Sequence, residues 1–239
     1  SMRTFCEEMA AKLTPVRVLI GAKVCDETKG LTPFVPREVE NPYCAIVLGS
    51  AKYNTQGACA AVLGRAVKYT PEQKVGSGRN GSLNLGQLYI GDNLIEARLD
   101  LEELHDAGLM TFHHRPGTAG NYVGVDNMLT AGDYRYLAHG RVIDRATRII
   151  GSVATPYVED TLPLNDDGTI SDGYCAELAA QFESAISKNM SGQISGVKVT
   201  VASDQDIVNT STLKILLRIL PVGYATWIEC EIGLADNIS

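Results

Sequence analysis

The chain has 239 residues, 45% apolar and 21% charged, enough ordinary folding material for one large or two small cores. A formal net charge of −7 and a pI near 5.1 exclude a generally basic, nucleic-acid-binding surface, which needs an excess of Lys and Arg. No apolar run approaches the roughly 18 residues of a membrane span. No signal peptide is visible either, which points to a cytoplasmic origin.

Taken in chain order, the first half alternates helix and strand. Ser1-Met2 stands before a helix already in mid-stride, RTFCEEMAAKL, and reads as a scar on a truncated chain, so the natural protein is expected to begin earlier. Residues 15–24 (PVRVLIGAKV) predict a strand with Val16, Val18 and Ile20 on one face. Residues 44–49 (CAIVLG) form a continuous apolar run, the pattern of a strand covered on both sides. Residues 56–68 place Cys59, Val62, Leu63 and Ala66 at helical spacing, and residues 99–107 form a short helix stopped by Gly108.

Residues 109–150 organise the chain. An alternating strand over 109–114 meets the turn Arg115-Pro116-Gly117, and residues 122–125 resume an extended pattern. Thr130-Ala131-Gly132-Asp133 has the spacing of a capping box. After it Tyr134, Ala138, Val142, Ala146, Ile149, Ile150 and Val153 recur at helical spacing, with Arg135, Arg141, Asp144, Arg145 and Arg148 mostly on the opposite face. That face is a candidate contact surface, with a plain solvated face as the alternative.

In the second half, residues 162–168 read as a loop, and Ser171-Asp172 opens a helix carrying Cys175, Leu178, Ala179, Phe182 and Ile186 on one stripe, with Lys188 near its end. Val197, Val199 and Val201 alternate with polar residues, as do Leu213, Ile215, Leu217 and Ile219. A last strand is expected over Thr226, Trp227, Ile228, Glu229, Cys230, Glu231 and Ile232, and basic residues on one strand can face acids on the next. The fold class is therefore α/β (α+β): a small mixed sheet with flanking helices over residues 3–131, then a lobe of two long helices and an antiparallel sheet over 132–239.

Motifs that invite chemistry fail on context. Gly76-Ser77-Gly78-Arg79-Asn80-Gly81 matches G-x-G-x-x-G but follows a polar run and does not open a helix, so it reads as a surface loop. His113 and His114 are neighbours on a strand, point to opposite faces and cannot easily share one metal. Asn165-Asp166-Asp167-Gly168 has Pro163 where a calcium loop needs its first acid, and is a turn before a helix. The cysteines Cys6, Cys25, Cys44, Cys59, Cys175 and Cys230 show no C-x-x-C spacing and read as small buried hydrophobes. No catalytic residue, cofactor site or metal site is expected.

The order of elements over GLMTFHHRPGTAGNYVGVDNMLTAGDYRYLAHGRVIDRATRII resembles the hallmark region of contractile phage tail sheath proteins: strand, Arg-Pro-Gly turn, strand, long helix. The ending LKILLRILPVGYATWIECEIGLAD resembles the sheath C-terminal hairpin. The resemblance runs from Leu101 to Leu234, and more loosely back over residues 3–64. It extends to the sheaths of type VI secretion and other contractile injection systems.

The resemblance implies a structural subunit, not an enzyme, that stacks as homo-oligomeric rings around an inner tube and contracts to drive it through an envelope. It implies partners in further copies of itself, the inner tail tube protein and baseplate or tail terminator proteins, with no nucleic acid and no membrane insertion. The setting would be a phage or prophage virion tail or an injection apparatus, assembled in the bacterial cytoplasm. Residues Thr226 to Ile232 would form the subunit-linking strand, and the helix over residues 171–190, with Glu177, Gln181, Glu183 and Lys188, would face the tube. Two alternatives remain open: a small α/β enzyme holding a phosphate-bearing ligand at Gly76 to Gly81, and a non-polymerising adaptor with an exposed sheet edge.

Overall fold

The structure, a computed structural model, describes residues 1–23, 35–52 and 57–226. Helix α1 (Met2–Ala11) is opened by Ser1, whose Oγ accepts the Thr4 amide at 3.3 Å, and it buries Cys6. The following strand β1 (Val18–Ala22) runs parallel to β2 (Cys44–Leu48), in register from Val18 opposite Cys44 to Ala22 opposite Leu48. Four of the five β2 residues are buried, as a continuous apolar run requires when both faces are covered. Met110 adds a further parallel line, donating to Ile46 O at 2.9 Å while its carbonyl accepts Leu48 N at 2.8 Å.

Around this sheet lie helix α2 (Cys59–Lys68), the two-residue strands β3 (Tyr89–Ile90) and β4 (Asn93–Leu94), helix α3 (Leu101–Asp106), and the antiparallel pair β5 (Phe112–His114) and β6 (Asn121–Val123). Val47, Val62, Leu88, Ile95, Leu104, Met110, Phe112 and Val123 interlock here as a first core. Each large apolar side chain so buried contributes about 1.5–3 kcal/mol against chain entropy.

A second core forms on helices α4 (Leu137–Ala154) and α5 (Asp172–Asn189), covered by the antiparallel pair β7 (Ile194–Thr200) and β8 (Leu216–Pro221). The apolar stripe of α5 is buried at Cys175, Leu178, Phe182 and Ile186. Helix α4 joins the two cores: Leu137 belongs to the first, Val142 and Ala146 to the second. The class is thus mixed α/β, with a small sheet and helices followed by two long helices and an antiparallel pair.

Local boundaries differ from expectation for stated reasons. Thr130 does not cap α4. Gly132 takes φ 73°, a 3-10 turn intervenes over Gly132–Tyr134, and the helix starts only at Leu137. Its first-turn amide, Ala138 N, is satisfied instead by the buried carboxylate of Asp126, Oδ2 at 3.0 Å. A short helix α6 (Ile207–Thr210), capped by Asp206 on the Asn209 amide, interrupts the approach to β8, which therefore begins at Leu216 and not near Leu213.

Candidate functional site

The exposed backbone of the β7–β8 pair is the feature that side-chain chemistry leaves unaccounted for. Val199 lies opposite Leu217 and points its N–H away from β8, at Glu183 Oε2, 3.1 Å away. Val199 and Leu217 are therefore a non-hydrogen-bonded pair, as are Val197 and Ile219 two residues on, so Leu217 and Ile219 turn their N–H and C=O groups outward. Among the described residues β8 pairs with β7 alone, and nothing bonds that outer edge. Pro221 ends the strand with no N–H to offer.

After β8 the chain crosses to the first lobe. The Tyr224 hydroxyl donates to Glu72 O at 2.6 Å, its ring lies 5.6 Å from that of His139, and Lys74 Nζ stands 5.0 Å from its centre. Burial pushes the Tyr224 hydroxyl pKa up to about 12. Thr226 closes the described segment outside any strand. The remainder of the expected linking strand, Trp227, Ile228, Glu229, Cys230, Glu231 and Ile232, lies outside the described residues, as do Cys25 and residues 233–239.

The basic face of α4 is largely engaged within the subunit. Arg141 donates to the carbonyls of Ala66, Tyr69 and Gln73, and burial lowers its pKa. Asp144 is buried against Arg17, and Arg148 reaches Pro15 O at 2.5 Å. Arg145 donates to Asn189 O at 3.2 Å, and Arg135 lies exposed over the Tyr136 ring. The expected contact face is thus corrected for Arg141 and Asp144, which bind the two lobes of one molecule together. On α5, Glu177 and Lys188 are exposed and Gln181 donates to Glu177 at 3.2 Å, but Glu183 folds back onto β7.

A cleft of about 1130 Å³ lies between the lobes, walled by residues 76–80, His105, His113, Arg115 and residues 222–226. Its polar groups are mostly bonded to one another. Arg115 donates to Gly76 O at 2.5 Å and packs on the Tyr122 ring, Arg37 donates to His105 O at 3.2 Å, and Lys74 lies 3.4 Å from Asp126. The glycines have packing reasons: a methyl group on Gly76 would sit 2.5 Å from the carbonyl oxygens of Val123 and Gly124, and the Arg115 guanidinium covers Gly78. Gly76→Ala is accordingly expected to cost about 1–3 kcal/mol in a urea unfolding curve, by overpacking against rigid backbone.

His113 packs beside His105 and Tyr122, whereas His114 pairs with Glu96 at 2.6 Å, as opposite faces of one strand dictate. Cys6, Cys44 and Cys175 are buried thiols, with pKa values raised by that burial. Among the described residues no group of three or more His, Cys, Asp or Glu side chains could hold a metal, and no helix is long and apolar enough to cross a membrane.

Known structures match this arrangement. The contracted helical sheath of the anti-feeding prophage superposes with a TM-score of 0.62 at 15% identity, over 97% of this chain and 66% of that one. The chain has the sheath fold. A chain of the 6-fold symmetrised anti-feeding prophage baseplate gives 0.61 at 16% identity, over 98% and 65%. The sheath tail protein of Desulfitobacterium hafniense gives 0.57 at 11% identity, over 92% and 52%. The chain thus spans between about half and two thirds of the sheath-fold chains it matches. The sequence family described as DUF2586, C-terminal domain, matches residues 133–239. No curated protein matches the sequence.

Within the sheath fold, the signal that sequence reasoning missed was the partnering of Glu183. The resemblance sets it among the tube-facing residues of its helix, yet its partner is a strand amide that no local pattern reveals.

Proposed function

We propose that this chain is a structural, non-enzymatic subunit of a contractile sheath, which assembles with copies of itself around an inner tube and shortens to drive that tube through an envelope. The observation that carries the reading is the outer edge of β8, unbonded among the described residues and set on the second core of a sheath fold. Main-chain pairing along such an edge depends little on side-chain identity, so it suits a joint that must hold while subunits reorient. The linking strand is assigned to Thr226 through Ile232 of a neighbouring copy. The lobes over residues 3–131 and 132–239 act as one rigid body, held by α4 and its internally bonded arginines.

The tube-facing surface is assigned to the exposed part of α5, with Glu177, Gln181 and Lys188, and the baseplate and terminator are the remaining partners. Within this reading the protein acts in a phage-like tail or injection apparatus.

Electron microscopy of the purified protein, alone and with its tube protein, tests the proposal. Rings or tubes are expected, and discrete particles at all concentrations would favour an adaptor. A thermal-shift screen with nucleotides addresses the enzyme alternative: no reproducible stabilisation is expected, because Arg115, which covers the glycine loop, is already bonded to Gly76 O within the chain.

A further inference from the structure

Resting on the sheath reading above, we propose that the outward face of the β7–β8 sheet is a side-chain contact between copies, which receives the acidic connection between α4 and α5 of a neighbouring copy. The chain alternates strictly from Leu213 to Leu220. Leu213, Ile215, Leu217 and Ile219 pack on the second core, while Lys214, Leu216, Arg218 and Leu220 are exposed on the other face. Leu216 and Leu220 stand on either side of Arg218 and are 52% and 63% exposed. Lys198 lies directly opposite Arg218 on β7, a like-charge pair that is unfavourable across strands. Glu183 answers Lys198 at 3.5 Å, but among the described residues no carboxylate pairs with Arg218 or Lys214. The neighbours of the two leucines on β7 are small, Thr200 opposite Leu216 and Gly196 opposite Leu220, so both leucines stand clear of the sheet. The face therefore offers two apolar side chains set among cations that lack counter-charges of their own.

The connection between α4 and α5 carries the complementary pattern. From Ile149 to Ser187 the chain holds no Lys or Arg. Within that stretch Val158 and Leu164 are 69% and 41% exposed, and they stand among the exposed acids Glu159, Asp160, Asp166 and Asp167. None of these four carboxylates enters an ion pair among the described residues. The two patches do not meet within one molecule. Ile170 N donates to Ser203 O at 2.9 Å, which fastens the connection past the Thr200 end of β7, and no ion pair joins it to the sheet face. Two different patches of one chain that fit each other make a heterologous joint, which closes as a ring or runs on as a helix. In such a joint the charges select the partner and its register, while the leucines and Val158 supply apolar area to bury. The contact uses side chains on the face of the sheet, and is separate from main-chain pairing along its edge.

Charge reversal in two full-length variants tests this. One carries Lys214→Glu and Arg218→Glu on the sheet face. The other carries Glu159→Lys and Asp166→Lys, two acids that make no hydrogen bond within the described residues. Circular dichroism establishes that both fold, and association is followed by sedimentation velocity with electron microscopy of the same samples. The wild type is expected to associate, more weakly as salt is raised, because exposed charges are screened. Each variant alone sets like charges against each other and should need a roughly ten-fold higher concentration or more to associate. Mixed in equal amounts they should associate as the wild type does, since the reversed face of one then meets the reversed connection of the other. Variants that associate as readily as the wild type, or a mixture no better than its components, overturn the contact. Wild-type rings or tubes that persist in both variants overturn it and leave the sheath reading standing. Salt-sensitive association restored by mixing, with no ring or tube even beside the tube protein, upholds the contact and overturns the sheath reading. A wild type that stays monomeric at every concentration overturns the contact.

Discussion

Replacing Arg17 by methionine is expected to lower the unfolding free energy by about 3–5 kcal/mol, the usual cost of stranding one member of a buried ion pair. Arg17 Nε and Nη2 donate to Asp144 Oδ2 and Oδ1 at 2.7 and 2.9 Å, Nη1 donates to Pro42 O at 2.6 Å, and both side chains are more than nine-tenths buried. The contact joins the entry to β1, the loop before β2 and the middle of α4, and so ties the two cores together. It exists because Gly140 leaves the space: a side chain there would occupy the position of the guanidinium.

Urea unfolding distinguishes the causes. Asp144→Ala should also be strongly destabilising, while Arg17→Met combined with Asp144→Leu should recover much of the loss, since an apolar pair of similar volume leaves no buried charge unpaired. Glu7→Ala, which removes an exposed pair with Arg3 on α1, should barely move the midpoint. Equal losses in the single and double variants would show that packing, and not the stranded charge, sets the cost.

The same pair shows where reading a sequence stops. Local periodicity placed α5 within a residue of its observed start, and the apolar run of β2 announced a strand covered on both faces. Those signals are local and hydrophobic, and hydrophobic burial is what determines such elements. The charged face of α4 carried the right helical period but no information about its partners, because Arg141 and Arg148 bond to backbone carbonyls far away in the chain. A main-chain oxygen is the same at every residue, so such contacts leave no mark in the composition. The start of α4 was misread for a related reason: the side chain that caps it, Asp126, comes from a preceding loop. The glycine loop was legible as a loop, while the close approach that requires Gly76 depends on β6 lying beneath it.

Acidification should weaken the fold between pH 6.5 and about 4, and His105 is the expected main cause. Burial, aided by the neighbouring His113, lowers its pKa from 6.5 to about 4, and its Nε2 shares a hydrogen bond with Thr111 Oγ1. Above pH 6.5 the ring is neutral in both folded and unfolded chains, and stability is complete. Below 6.5 the unfolded chain takes a proton that the folded one refuses, so stability falls until the pH reaches about 4. The loss is on the order of 3 kcal/mol for a shift of this size. Half-buried His113, its pKa also lowered by burial, acts in the same direction. Asp126 acts in the opposite sense, since burial raises its pKa and the folded chain then gains stability by taking up a proton on acidification. The comparison that isolates His105 is therefore the wild type against His105→Gln, unfolded in urea at pH 7 and pH 4.5. The variant should start less stable, having lost the fit of the ring against Gly124, and should lose distinctly less between the two pH values. Parallel losses in the two proteins would mean that His105 is not held neutral in the fold, and that the acid sensitivity belongs elsewhere in the lobe joint.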